Sequence, residues 1–504
     1  MIRPLLPLWA AVIVAAAAGP ILDAGFPDRG WWPLAFVGIG LVLVALIGRR
    51  AGSAFLLGFI AGVAFYLLHI EWATEFLGDV LPMLALTFLE ALFFGVGAIL
   101  ITLAYRWLPR AFPTRTGGLV LLPVVVAGLW TAREGVASVW PYGGFAWGRV
   151  ALSQSESPFS SLFSWIGVSG VSFVCVLLVA FVLELVRFGG MGRLARVGLG
   201  IALAAVIVAV PAFPAVVDGS IRVAAVQGNG KAAYLDKREY GDLLVAQVNA
   251  TQAILGQKAD VVLWPEGATD IDPLEDAYAA RVFDAITLEF NAPLVAGAIT
   301  EDGKLIHNSS LLWVAGKGAV DEYDKRHPVP FGEYIPDRAF WRPFAPDLID
   351  LVQREYTPGT TDAVFDLGKT KAGIDICFDI VDDALMRESI VEGAQVLFAQ
   401  SNNADFGRTD EGLQQLAIAR IRAMELGRSV VNISTVGTSA IIRPDGSTLD
   451  ELPWYTAGAM VQDVPTSSIV TPAVLFGKQV ELLVGGFGLL ILAMAAVLGR
   501  RRRA

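Results

Sequence analysis

The chain has 504 residues, is 55% hydrophobic and 17% charged, and carries a formal net charge of −10. That is too apolar for a soluble protein of this length and too charged for one immersed in lipid throughout. Its basic residues form no stripe or cluster of the kind that binds nucleic acid, so no nucleic-acid partner is expected.

Apolar stretches near the roughly 20 residues needed to cross a bilayer core fall at about 5–22, 32–48, 53–71, 81–107, 118–136, 161–186, 195–214 and 479–499. Between the last two, the sequence reads as an ordinary globular domain. The expected organisation is a seven-span domain over 1–217, a globular domain over 218–476, and a C-terminal span with a short basic tail over 477–504. Arginines sort by loop. Arg3, Arg49, Arg50, Arg106, Arg110, Arg115, Arg187, Arg193, Arg196 and Arg500 to Arg503 fall on one side. Arg29, Arg133 and Arg149 fall on the other, mixed with Asp23, Asp28, Glu71, Glu75, Asp79 and Glu134. The positive-inside bias then places both termini in the cytoplasm and 218–476 outside it.

Cysteine usage agrees with that compartment. Cys175 lies within the sixth stretch, and Cys377 has no second cysteine in the globular domain, so no disulfide framework is possible. Cys175 reads as a core or lipid-facing residue. His69, His307 and His327 have no metal-ligand spacing. Glu71 and Glu90 lie at or within spans, where ionisable groups are costly and either functional or tied to a polar neighbour.

From Ile221 the pattern changes to short β-branched runs alternating with helical stretches, which implies a layered α/β domain with its site at the strand ends. Strand-like runs cover 221–226, 261–264, 294–298, 310–314, 372–376, 396–399, 430–433 and 439–442. Helical stretches cover about 238–256, 273–290, 381–392 and 411–427. Residues 340–361, rich in proline and aromatic residues, read as a long loop suited to a lid. Three strand-like runs end on chemistry: Trp264-Pro-Glu266, Tyr323-Asp-Lys325 and Ile376-Cys377. A lone thiol, a carboxylate and an amine from separate strand ends are the parts of a nucleophilic acyl-transfer site. Lys325 beside the thiol is expected to lower its pKa and to bind an oxyanion. The backbone N–H of Phe378 is a second oxyanion donor, and Glu266 is the base.

In that order, with intervals of 59 and 52 residues, these three resemble the Glu-Lys-Cys triad of the carbon–nitrogen hydrolase (nitrilase) superfamily. Further pieces are Val226-Gln-Gly-Asn229, Pro330-Phe-Gly-Glu-Tyr-Ile-Pro336, Ser401-Asn-Asn-Ala404 and Arg422-Ala-Met-Glu-Leu-Gly-Arg428. With apolar spans on both sides, the whole chain resembles the apolipoprotein N-acyltransferase family. The resemblance implies a membrane α-helical bundle of about eight transmembrane helices carrying an α/β nitrilase-like layered sandwich. It implies an N-acyltransferase in which a phospholipid acylates Cys377 and the α-amine of a diacylglyceryl-modified apolipoprotein accepts the chain. A bacterial inner-membrane monomer with a periplasmic catalytic domain is expected, with no cofactor and no metal.

The same resemblance assigns Glu333 to orienting Lys325, and Phe378 and Asp379 to the surroundings of the nucleophile. Trp140-Pro-Tyr-Gly-Gly-Phe-Ala-Trp147 resembles a family loop bordering the active site. Its Tyr142 and Gly144, with Phe331, Tyr334, Phe340 and Trp341, are the substrate-contact candidates. The chain departs from the family where Phe378-Asp379 replaces Tyr-Glu, where Asp405 replaces tryptophan, and where Tyr234 is the aromatic residue near the domain's start. Two other readings fit the same triad: a membrane-anchored amidase that passes the acyl group to water, and a degenerate paralogue that binds lipoproteins without turnover.

Overall fold

Helices that are apolar on every face have no stable place in water, and those of the first half of the chain are of this kind. The computed structural model describes residues 3–187, 192–353 and 355–501. The first of two units runs through Glu71, resumes over Val80–Phe213 and closes from Pro472 onward. It contains α1 (Leu8–Asp23), α2 (Pro33–Leu46), α3 (Ala51–His69), α4 (Leu81–Ala111), α5 (Leu122–Ala137), α6 (Phe163–Arg187) and α7 (Arg193–Val208). A C-terminal helix, described with the later elements below, completes it. The eight apolar stretches are all helical, but they are not equivalent. Among the described residues, five helical segments are long and apolar enough to cross a membrane: Ala51–His69, Leu81–Ala111, Gly117–Ala137, Ser160–Arg187 and Pro472–Gly499. The other three, α1, α2 and α7, have 16, 14 and 16 residues. At about 1.5 Å per residue they fall short of a core roughly 30 Å thick. The end of the expected basic tail, from Arg502, lies outside the described residues.

Small residues let the long helices touch backbone to backbone. A Cβ on Gly58 would lie 2.5 Å from the Ala98 methyl, and one on Gly62 would lie 2.8 Å from Ala91 Cα. Without a hydrophobic driving force between helices in lipid, such contact is what holds α3 to α4. Polar groups in this unit are mostly paired. Glu134 accepts from Trp130 Nε1 at 2.8 Å and from the Val150 N–H at 3.1 Å, and the Arg133 guanidinium lies 4.1 Å over the Phe94 ring. Glu71 is exposed and Glu90 is buried, while Cys175 is buried on α6.

The second unit comprises Trp72–Asp79 and Pro214–Thr471. In chain order it contains β1 (Gly219–Gln227), α8 (Asp242–Gln252), β2 (Val261–Leu263), α9 (Ala277–Phe290), β3 (Leu294–Asp302), β4 (Leu305–Val314), β5 (Gly318–Asp324), α10 (Arg338–Trp341) and α11 (Pro346–Ile349). There follow β6 (Val364–Asp366), β7 (Lys371–Ile376), α12 (Asp383–Val391), β8 (Val396–Ser401), α13 (Glu411–Leu426), β9 (Ser429–Ser434), β10 (Ser439–Ile442), β11 (Thr448–Leu452) and β12 (Gly458–Thr466). The chain then returns to the first unit as α14 (Pro472–Arg501).

The strands form two six-stranded sheets, ordered β12-β1-β2-β3-β4-β5 and β11-β10-β9-β8-β7-β6. Each has a parallel centre, β1-β2-β3 or β7-β8-β9, edged by antiparallel strands. Parallel strands start together and end together, so their carboxyl ends gather loops at one edge. Gln400 on β8 donates to the Trp264 carbonyl at 2.6 Å, and Ser439 on β10 donates to Gln227 on β1 at 2.6 Å. These bonds tie one sheet to the other near those ends. Behind the first sheet, Trp264, Phe283 and Trp313 pack edge to face at 5.5 and 5.3 Å.

The expected long loop at 340–361 is instead partly helical. Arg338 donates to Glu355 and to the Ile349 and Val352 carbonyls at 2.6–2.8 Å, and Ile335, Ile349 and Val352 are buried together against Trp341. One arginine fork thus closes the backbone acceptors that a free loop would leave open. Trp72–Asp79 joins this unit through Trp72, which donates to Gln414 at 3.1 Å and meets the Phe406 ring at 5.2 Å.

Gly62→Ala is expected to lower the thermal midpoint of the detergent-solubilised protein, because overpacking costs about 1–3 kcal/mol. Gly52→Ala, whose new methyl would meet nothing within 4 Å, should hold or raise it, following the usual helix preference for alanine. A scan of circular dichroism against temperature compares the two.

Candidate active site

Three strand ends of the second unit deliver the side chains. After β2 the chain passes over Gly297, where a Cβ would lie 2.4 Å from the Pro265 oxygen and 2.6 Å from Glu266 Cα. Only glycine on β3 lets the Glu266 segment lie this close. After β5, the Lys325 N–H donates to the Asn308 carbonyl at 2.8 Å and its carbonyl accepts from Gly359 at 3.0 Å. After β7 the backbone turns sharply at Cys377, which has φ of +54° and begins a 3₁₀ turn ending at Val381. A non-glycine residue in that region is strained by about 1–3 kcal/mol and is held there only by its surroundings.

Asp379 supplies much of that hold. Its buried carboxylate accepts from the Tyr323 hydroxyl at 2.8 Å and from the Ile376 N–H at 3.4 Å. The turn carrying Cys377 is thereby fastened to the strand end carrying Lys325.

Lys325 is 1% exposed and lies 2.8 Å from Glu333 Oε2 and 4.0 Å from Glu266 Oε1. Asn308 on β4 bridges the two carboxylates, donating to Glu266 at 2.7 Å and to Glu333 at 3.0 Å. Glu333 is itself fixed by the fold-back of the Pro-Phe-Gly-Glu-Tyr segment. Its Oε2 accepts from the Val329 N–H at 2.6 Å, and the Phe331 N–H, at a φ of +63°, donates to the Tyr334 carbonyl at 2.8 Å.

Electrostatics follow from this crowding. Burial pulls Lys325 down, but Glu333 first, then the Cys377 sulfur when it is ionised and Glu266, hold its ammonium above the ordinary lysine range. Burial raises Glu266 to about 7, Lys325 opposing and Glu333 adding to the shift. The thiol departs from expectation. Burial first, then Glu266, push Cys377 well above the usual thiol range, and Lys325 offsets this only in part. Burial and the nearby carboxylates together outweigh the single cation, an arrangement that favours base-assisted attack by the thiol.

Other groups close to this centre were not legible as site residues. Glu411, at the start of α13, is buried and receives a 2.7 Å hydrogen bond from Asn403. Burial, with Glu266 and Asp405 adding, raises it to about 8 against that bond. Asp405 accepts from the Tyr234 N–H at 2.5 Å and is raised to about 6, chiefly by burial. Asp375, two residues before the nucleophile, is buried without a hydrogen-bond partner among the described residues, and burial pushes its carboxyl well above the usual carboxylate range. His327 lies 3.7 Å from both Asp379 and Asp382 and is raised chiefly by the Asp379 carboxylate.

Among the expected substrate contacts, Phe331, Trp341 and Phe340 form one aromatic run, with centroids 5.7 and 4.9 Å apart. Phe340 and Phe344 are exposed. Tyr142 and Gly144 belong to the first unit. Tyr142 has φ of +51°, and a Cβ on Gly144 would lie 2.2 Å from the Val139 nitrogen, so the turn there admits only glycine.

Comparison with known proteins covers both units. Residues 18–181 match the apolipoprotein N-acyltransferase N-terminal domain, and residues 222–471 match the carbon-nitrogen hydrolase family. An apolipoprotein N-acyltransferase of Mycolicibacterium smegmatis is 33% identical, over 96% of this chain and 85% of that one. Proteins of the same name from Vibrio cholerae and Pseudomonas aeruginosa are 26% and 28% identical, over 98% and 99% of this chain and 97% of each of theirs. With a third of its residues shared along nearly its full length, and both halves matched, the chain belongs to the apolipoprotein N-acyltransferase family.

Proposed function

We propose that this protein moves an acyl chain from a membrane phospholipid, through a thioester on Cys377, to the α-amine of the lipid-modified N-terminal cysteine of an apolipoprotein. The observation that carries the reading is the buried cluster of Glu266, Lys325 and Glu333 acting on a strained Cys377 turn. The names of the relatives supply the acceptor class. The apolar helices supply the medium in which a phospholipid donor is at hand.

In the first half-reaction Glu266 takes the thiol proton and the sulfur attacks the donor's ester carbonyl. Lys325, held protonated, and the Phe378 N–H stabilise the oxyanion. Collapse expels the lysophospholipid alkoxide, which recovers the proton from Glu266, and leaves an acyl-Cys377 thioester. In the second, Glu266 takes a proton from the attacking amine and returns it to the departing sulfur. The exposed Phe340 and Phe344 rings suit contact with the acyl donor. The arginine bias supports an extracytoplasmic position for the second unit. Mass spectrometry of lipoprotein N-termini tests the whole reading: N-acylation should be present with the protein and absent without it, and its persistence without it would refute the assignment.

The first half-reaction should fall as pH drops through about 7, because Glu266, raised to about 7, can accept the thiol proton only when ionised. Glu266→Gln should abolish that limb of a stopped-flow acylation profile. Incubation with phospholipid alone should also acylate the protein at Cys377, with release by neutral hydroxylamine, and Cys377→Ser should form little adduct. Lys325→Met should acylate roughly 10²–10³-fold more slowly, on the scale of one lost oxyanion donor. Intact-protein mass spectrometry follows each.

A further inference from the structure

On the acyl-transfer reading above, the second half-reaction moves two protons, and Glu266 accounts for one of them. An α-amine has an ordinary pKa of about 8, so at neutral pH it arrives mostly as an ammonium. One proton must leave before the nitrogen has a lone pair for attack. A second leaves as the amide forms, and Glu266 carries that one to the sulfur. Glu333 is committed to Lys325 at 2.8 Å, so the first proton needs another acceptor.

The end of β8 brings a further carboxyl to the same place. Ile376 on β7 pairs with Gln400 on β8, so the two strands leave the sheet together, one toward Cys377 and the other toward Asn403. Gln400 donates to the Trp264 carbonyl at 2.6 Å, and the Asn402 N–H favours the ionised form of Glu266. One residue on, Asn403 accepts from Ser401 Oγ at 3.0 Å and donates to Glu411 Oε2 at 2.7 Å and to Gln415 at 2.6 Å. Helix α13, which begins at Glu411, packs against the 3₁₀ turn that starts at Cys377. Charge on Glu411 acts on the Cys377 thiol, and charge on Glu266 acts on Glu411.

An acid in the first turn of a helix serves that helix equally well in water. Glu411 is instead 2% exposed, and the bond from Asn403 to Oε2 is its one side-chain hydrogen bond among the described residues. Oε1 is left open. Burying a carboxyl with an open oxygen costs free energy unless something comes to pair with it. The charges acting on Glu411 are those of Glu266 and Asp405, both acidic, which suits a cationic partner. Burial, with those two adding and Asn403 opposing, raises Glu411 to about 8. An α-amine titrates in the same range, so a proton passes between the two at little cost.

We propose that Glu411 Oε1 receives the acceptor's α-ammonium and takes its first proton, which frees the amine to attack acyl-Cys377. An N–H bond of the ammonium breaks as an O–H bond forms on Glu411. The C–N bond then forms and the C–S bond breaks, while Glu266 moves the second proton from nitrogen to sulfur. Glu411 returns its proton to solvent once the amide has left.

Protein acylated at Cys377 by prior incubation with phospholipid tests this. Glu411→Gln keeps an oxygen for Asn403 and removes the proton acceptor. Its transfer to a diacylglyceryl-cysteine peptide at pH 7 should be about a hundredfold slower, the low end for a positioned base. The deficit should shrink as the pH rises past about 8, where the peptide's amine arrives without its extra proton. Hydroxylamine, uncharged at pH 7, should release the acyl group from variant and wild type alike. Glu411→Ala gives the same test should the glutamine variant not accumulate. Peptide transfer at the wild-type rate, or a deficit that is equal for hydroxylamine and constant with pH, would overturn the proposal. A wild-type protein never acylated at Cys377 would refute the reading beneath it, and the proposal with it.

Discussion

A single ammonium buried between two carboxylates governs the second unit. Lys325 could not be taken out of water alone, since removing a charge from solvent costs several kcal/mol even after relaxation. Glu333 at 2.8 Å and Glu266 at 4.0 Å compensate it, and Asn308 satisfies an oxygen on each carboxylate. Two negative charges then face one positive charge, and the excess has to be carried by neighbours. Burial, with that excess adding to it, raises Glu266 to about 7 and pushes the Cys377 thiol well above its ordinary range. The cluster that keeps lysine charged is thus the same one that makes cysteine depend on a base.

The backbone is built around that cluster. Glycine at position 297 admits the Glu266 segment, and Gly359 admits Lys325 by accepting close approach to Asp324. Asp379 holds the left-handed turn at Cys377 through Tyr323, two residues before Lys325 on the neighbouring chain segment. A change at Tyr323 or Asp379 therefore disturbs nucleophile and cation together. Positioning of this kind matters because small misplacements of reacting groups cost large factors in rate.

Much of this was legible in the sequence where strand ends coincide with chemistry. The strand-like runs at 261–264 and 372–376 are short and mostly apolar, so the residues just beyond them, Glu266 and Cys377, stand out. Asn308 does not, because it lies mid-strand on β4 and only the β3-β4-β5 register brings it beneath the carboxylates. Glu411 looks like an ordinary first-turn helix acid, and its burial beside Asn403 is a tertiary fact. The pKa of the thiol was misjudged because spacing shows which charges are near but not which of them are desolvated. Residues 340–361 were read as loop since their helices are four residues each, below any useful periodicity. Among the described residues hydropathy locates all eight apolar helices, and α1, α2 and α7 are shorter than the apolar stretches that mark them.

The dependence of Cys377 on Glu266 can be measured without any substrate. Iodoacetamide alkylation of the purified protein, followed by intact mass from pH 5 to 10, reports the proton-accepting state beside the sulfur. The wild-type rate should rise through about pH 7 with Glu266, while Glu266→Gln should show no rise there. A wild-type thiol that is already fully reactive at pH 6, with the Glu266→Gln protein matching it, would contradict the account.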